Sequence, residues 1–182
     1  MPEADRSLAD ITSYLEMVRL KTAALLRAAC RVGAVLSEAG ELQADALGQS
    51  GEALGIAFQI RDDLLPYGPQ PTRQDKPADS DLRNERPALP LLLAARASGP
   101  GVWDRLVGDG RPDADGLRTL LGATGALEEA RCMLDGYVRR AHTALEKIPA
   151  SGHRQTLARV ADFVQVSPAW LPARRTAPAA AR

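Results

Sequence analysis

The sequence is poor in aromatic residues, nearly without lysine, and holds two cysteines among 182 residues. Aromatics make up 4%, so the core cannot be built on rings. Its apolar mass comes instead from 32 Ala and 25 Leu, which is helix-former composition. With 3 Lys and 20 Arg, the 23 basic side chains are balanced by 23 acidic ones. A net charge of zero and a pI near 6.7 remove the basic excess that general binding to nucleic acid or to an anionic membrane requires. Cys30 and Cys132 stand 102 positions apart in helix-like segments, which excludes a CxxC zinc pair and a disulfide framework. They read as reduced core thiols. No run of 18 uncharged apolar residues occurs, and Met1 to Asp10 carry acids with no apolar leader core. A cytoplasmic chain with no transmembrane segment is expected. Strand-like alternation and internal repeats are also lacking, so the class expected is all-α.

What is present is helical periodicity. Residues 1–11 read as a lead-in, and Ser13 with Glu16 has capping-box spacing. Leu15, Val18, Thr22, Leu25, Leu26, Ala29, Gly33 and Leu36 step by three or four, predicting one buried stripe on a helix that ends near Gly40. A second helix is expected from about Leu42 to Leu65, where Pro66 stops it. Gly48, Gly51 and Gly55 in its interior each cost roughly 1 kcal/mol against Ala and point to close approach by a helix or ligand. Prolines 66, 69, 71, 77 and 87 make residues 66–87 a long loop, and loops of that length usually carry function or are disordered. Further helices are expected over Leu89–Ala97, Val102–Val107, Ala114–Leu121, Thr124–Lys147 (ended by Pro149) and Gln155–Val164, the last with Leu157, Val160, Ala161 and Val164 on one side. Residues 167–182 read as a disordered Ala/Pro/Arg tail.

Phe58-Gln59-Ile60-Arg61-Asp62-Asp63 closes the second helix one turn before Pro66. Two adjacent carboxylates at a helix C-terminus face its partial negative charge, at roughly 0.3–1 kcal/mol each. Either Arg61 and solvent compensate them or a hard cation does. Mg²⁺ takes one or two carboxylates and completes its octahedron with water and phosphate oxygens. Gln59, three and four residues before the acids, can share their surface. Lys21-Thr22 on the first helix is either a snorkelling surface pair or a point charge and a hydroxyl for a diphosphate. Lys76, Asp81 and Arg83 in the loop are either a solvated charge run or part of the same site. His142 and His153 have no partner cluster in the sequence and read as surface or capping residues.

Taken together, Tyr14 through Lys21-Thr22, Gly51-x-x-x-Gly55-x-x-Phe58-Gln59-x-x-Asp62-Asp63, Lys76-Pro77 and Asp81-Leu82-Arg83 resemble the C-terminal half of a trans-isoprenyl diphosphate synthase, the polyprenyl synthetase family. Weaker similarity continues through Gly125-Ala126-Leu127-Glu128 to Phe163, so the resembling domain spans residues 12–166. The resemblance implies an all-α, isoprenoid-synthase-type helical bundle around an apolar cavity, here incomplete because the N-terminal helices are missing. It further implies Mg²⁺-dependent condensation of an allylic diphosphate with isopentenyl diphosphate. The roles it carries over are Asp62 and Asp63 as metal ligands, and Lys21, Thr22, Gln59 and Lys76 as diphosphate contacts, with Asp81 and Arg86 as further loop contacts.

The sequence departs from the family pattern at the fifth position of the aspartate motif, which is Pro66, and in the loop, where Asp75-Lys76 and Glu85-Arg86-Pro87-Ala88 replace glycine-lysine signatures. No other Asp-Asp-x-x-Asp is present, and Asp113-Ala114-Asp115 is too short to replace one. The chain is therefore expected to be inactive alone and to work as a homo- or hetero-oligomer with a chain supplying the first aspartate-rich motif. The alternative is a non-catalytic partner that binds and tunes a full-length synthase.

Overall fold

The computed structural model describes residues 11–67, 88–99 and 114–165, and the expected Val102–Val107 helix lies outside them. The described residues are helical and contain no strand. Helix α1 (Ile11–Val18) runs through a π-helical turn (Arg19–Ala23) into α2 (Ala24–Leu36). Helix α3 (Glu41–Leu64) follows and tightens into a 3₁₀ turn at Leu65–Tyr67. Then come α4 (Leu89–Ser98), α5 (Ala114–Thr124), α6 (Ala126–Glu146) and α7 (Gly152–Val164).

Helix α3 is the axis. Helices α2 and α6 pack along two of its sides, and α4, α7 and the π-turn close on its second half. The glycines explain how α2 comes so close. A Cβ on Gly55 would lie 2.6 Å from Ala23 Cα, and one on Gly51 would lie 2.7 Å from the Leu26 carbonyl oxygen. Those overlaps are with backbone, so no side chain could swing aside. At Gly48 the obstacle is only the stem of Arg31, which can move. The expectation of close helix approach is met, and the approaching elements are the π-turn at Gly55 and α2 at Gly51. Ile60, Leu64, Leu134 and Val138 are fully buried where α3 and α6 meet, and the whole first face of α4 from Leu89 to Ala95 is buried beside them.

Several expectations need correction. The helix already runs from Ile11, so Ser13 and Glu16 lie inside it rather than capping it; Glu16 pairs with Arg19 on its own surface. The single buried stripe is also displaced. Tyr14 and Val18 are buried, but Leu25 and Leu36 are 72% and 80% exposed, and the buried positions beyond Val18 are Ala23 and Ala34. The cause is the π-turn, in which the Ala24 amide bonds the Arg19 carbonyl five residues back. One extra residue in a turn rotates everything after it by about 100°. Helix α2 ends at Leu36, not near Gly40. Glu38 takes the left-handed conformation (φ 56°), while the Glu38 and Ala39 amides bond the Val35 and Ala34 carbonyls in a Schellman pattern.

On α7, Ala161 and Val164 are buried as expected, but Leu157 and Val160 are partly exposed. Its start is three residues earlier than expected because Ser151 caps it, accepting from the Arg154 amide at 3.1 Å. Gly125, at φ 68°, separates α5 from α6. The core-thiol expectation fails for Cys132, which is exposed and contacts Glu128; Cys30 is half-buried, and burial raises its thiol pKa. His142 does have a partner: its Nε2 lies 2.8 Å from Asp162 Oδ1, tying α6 to α7.

Candidate functional site

Three of the sequence-derived site residues, Thr22, Gln59 and Asp63, meet where the π-turn crosses the end of α3. The wider π-turn carries Lys21 and Thr22, and such turns recur at functional sites. Thr22 Oγ1 donates to Gln59 Oε1 at 3.3 Å, and Gln59 Nε2 donates to Asp63 Oδ1 at 3.1 Å. The amide of Gln59 is thus oriented from both ends. Lys21, the preceding residue in the chain, is exposed and lines a shallow groove with Thr12, Glu16, Met17 and Leu20.

Asp63 is held more firmly than its neighbour. Its Oδ2 accepts from the Tyr14 hydroxyl at 2.7 Å and from the Leu89 amide at 2.9 Å. The second bond satisfies one of the otherwise orphaned first-turn donors of α4, whose own N-cap, Ala88, has no side chain able to do so. One carboxylate therefore ties α1, α3 and α4 together. A carboxylate has about four acceptor sites, and donors among the described residues take three of them. Burial and the adjacent Asp63 charge hold the Tyr14 hydroxyl far above the ordinary tyrosine range, so it remains a donor. Tyr14 and the Leu89 amide are the site partners that motif reading does not supply. A tyrosine in register with buried Val18 was the available signal, because a buried phenol needs a partner for its hydroxyl.

Asp62 is exposed at the same helix end. Arg61 does not neutralise the acidic pair by turning toward it; its guanidinium sits 5.2 Å from the Phe163 ring centroid on α7. Lys76, Asp81 and Arg86 lie outside the described residues. Among the described residues no group of three or more His, Cys, Asp or Glu is placed to hold a metal ion.

A groove of about 750 Å³ runs between α2, α3 and α6. Gln49, Glu52 and Ile56 line it, and with Gln59 and Asp63 they recur every three or four residues, so groove and site share one face of α3. Its lining mixes the charged Arg27, Arg139 and Lys147 with the apolar Ala53, Ile56 and Ala144.

The polyprenyl synthetase family model matches residues 1–121. The chain belongs to this family. The chain is 38% identical over 143 residues to a geranylfarnesyl diphosphate synthase of Aeropyrum pernix, covering 78% of the chain and 45% of that relative. Over 158 residues it is 33% identical to a nonaprenyl diphosphate synthase of Mycobacterium tuberculosis, covering 84% and 47%. The crystal structure of a decaprenyl diphosphate synthase from Rhodobacter capsulatus superposes with a TM-score of 0.76 at 36% identity, covering 87% of this chain and 51% of that one. The chain thus spans about half the length of the relatives it matches, and the all-α isoprenoid-synthase fold is that of the matched half. No helix among the described residues is long and apolar enough to cross a membrane.

Proposed function

We propose that this chain forms one wall of a prenyltransferase site that makes linear isoprenyl diphosphates, the wall that receives the diphosphate leaving group. The observation that carries this is the Thr22–Gln59–Asp63 hydrogen-bond chain, whose sequence neighbours Lys21 and Asp62 are both exposed. The substrates are an allylic diphosphate and isopentenyl diphosphate. A polyprenyl synthase from Caulobacter crescentus, 35% identical, is described in complex with calcium and isoprenyl diphosphate, which supports a divalent cation and a diphosphate at this kind of site.

Asp62 and the remaining acceptor site of Asp63 would hold Mg²⁺, which supplies Lewis-acid neutralisation of the departing diphosphate. The chain's own residues do the rest. Lys21 places a point charge on the phosphate oxygens, and Thr22 and Gln59 fix each other so that their polar atoms need little reorganisation. Tyr14 and the Leu89 amide keep Asp63 in place. Lys76, Asp81 and Arg86 complete the diphosphate side from the loop.

Calorimetric titration with an allylic diphosphate in Mg²⁺ tests this. Binding should depend on the metal and fall at least ~10-fold in Asp62→Asn and in Lys21→Ala; unchanged binding in both variants would refute the site. A second reading, a non-catalytic partner subunit, is favoured by the 30% identity to a heptaprenyl diphosphate synthase component 2 of Geobacillus stearothermophilus, a protein named as a component.

A further inference from the structure

We propose that the groove between α2, α3 and α6 is a binding site for a small phosphate ester with an apolar chain, separate from the diphosphate wall. At about 750 Å³ it has the size of a small-molecule pocket rather than of a protein-docking surface. In a chain of zero net charge, four cationic side chains and one acid line it. The acid, Glu52, is already taken, because Arg27 Nη1 donates to it at 2.5 Å. That leaves Arg139, Arg140 and Lys147 of α6 with no acid partner among the described residues.

The placement of these cations selects the ligand. Arg139, Thr143 and Lys147 stand four residues apart, so a cation, a hydroxyl and a second cation form one stripe along about 12 Å of the groove wall. A Cβ on Gly136 would lie 3.8 Å from Arg139 Nη2, so the guanidinium folds back over bare backbone. Arg140 stacks on the Tyr137 ring, 4.7 Å from its centroid. Lys147 Nζ donates to Gln49 Oε1 at 3.2 Å, which holds the ammonium at the groove and leaves two of its protons for a ligand. A guanidinium fork, an ammonium and a hydroxyl supply donors in more than one plane, which suits a tetrahedral phosphate better than a planar carboxylate. Beneath them the floor is apolar, since Ala53, Ile56 and Ala144 line the groove and are otherwise buried. The phosphate sits on the α6 cations and a short chain covers this floor. Gln49 precedes Gln59 by ten residues, about 15 Å of helix, so the lysine end of the groove stands well apart from the diphosphate wall. The groove's own cations neutralise the phosphate, and no metal ion is needed.

Calorimetric titration of the 182-residue chain with hexyl phosphate in EDTA tests this. One saturable site is expected, and hexyl phosphate should bind at least ~10-fold more tightly than inorganic phosphate, because only the ester reaches the apolar floor. The double variant Arg139→Ala/Lys147→Ala should keep its helical circular dichroism, both side chains being exposed, yet bind at least ~10-fold more weakly. Arg96→Ala/Arg159→Ala removes the same charge from exposed positions outside the groove and should bind as the parent does. In NMR spectra the amide signals of Gly136, Thr143 and Ala144 should move with ligand, while those of Thr22 and Asp62 stay. Absence of saturable binding overturns the proposal, as do equal losses in the two double variants or an ester that binds no more tightly than inorganic phosphate. Shifts confined to Thr22 and Asp62 place the ligand at the diphosphate wall and overturn it too. Co-sedimentation with phosphatidylcholine/phosphatidylglycerol vesicles that Arg139→Ala/Lys147→Ala abolishes would make the groove a bilayer contact, and that result also overturns the proposal.

Discussion

Helices α2 and α3 are consecutive, antiparallel neighbours, yet they are built for different surroundings. Helix α3 is covered on several sides, and its Gly51 and Gly55 let neighbouring backbones in. Helix α2 buries Ala34 and half-buries Cys30 on one face, while the opposite face presents Leu25, Val32, Val35 and Leu36 to solvent. Apolar composition alone does not distinguish them. The difference lies in what each helix meets, and it says that the centre of the matched half-fold is satisfied while one of its walls is not.

The largest effects should come from the satisfied side. Leu134→Ala, in the fully buried α3–α6 contact, should cost about 2–5 kcal/mol, whereas Leu25→Ala on the open face should stay within about 0.5 kcal/mol. Urea midpoints at constant m-value measure both. Equal costs would mean that the open face is already buried in solution. The glycines sharpen the same contrast. Gly55→Ala forces α3 off the Ala23 backbone and should lose about 1–3 kcal/mol, while Gly33→Ala on α2 meets nothing within 4 Å and should gain up to about 1 kcal/mol.

Next in size is the clamp on Asp63. Tyr14→Phe removes a donor to a carboxylate and should cost about 1–3 kcal/mol near neutral pH. Its pH dependence has a definite sign. Tyr14 keeps its proton in the folded chain after the unfolded chain has lost it, so the stability it contributes is complete below about pH 10 and is lost as pH rises above that. Tyr14→Phe should therefore flatten the alkaline decline by up to about 1.4 kcal/mol per pH unit. The smallest effect expected is at the α2 terminus, where Glu38→Gly relieves a left-handed residue and should gain a few tenths to about 1 kcal/mol.

What the residues disclosed in advance follows from which interactions are local. The end of α3 was readable because Gln59, Asp62 and Asp63 are neighbours on one helix and Pro66 marks its stop. Glycines at 48, 51 and 55 announced close packing because nothing else explains their cost in a helix interior. The buried face of α2 was not readable, since the π-turn shifts the register by one residue between Val18 and Ala23 without a proline or glycine to mark it. Likewise the Asp63 bonds to Tyr14 and to the Leu89 amide join residues 49 and 26 positions apart, through geometry that no spacing rule contains. The exposure of Cys132 depends in the same way on which side of α6 turns to α3.

The most direct test of the half-site account is chain elongation by the 182-residue polypeptide on its own. Incubated with Mg²⁺, isopentenyl diphosphate and an allylic diphosphate, it should yield no longer prenyl product by chromatography, because one wall cannot neutralise the leaving diphosphate. Robust elongation by the chain alone would contradict the account.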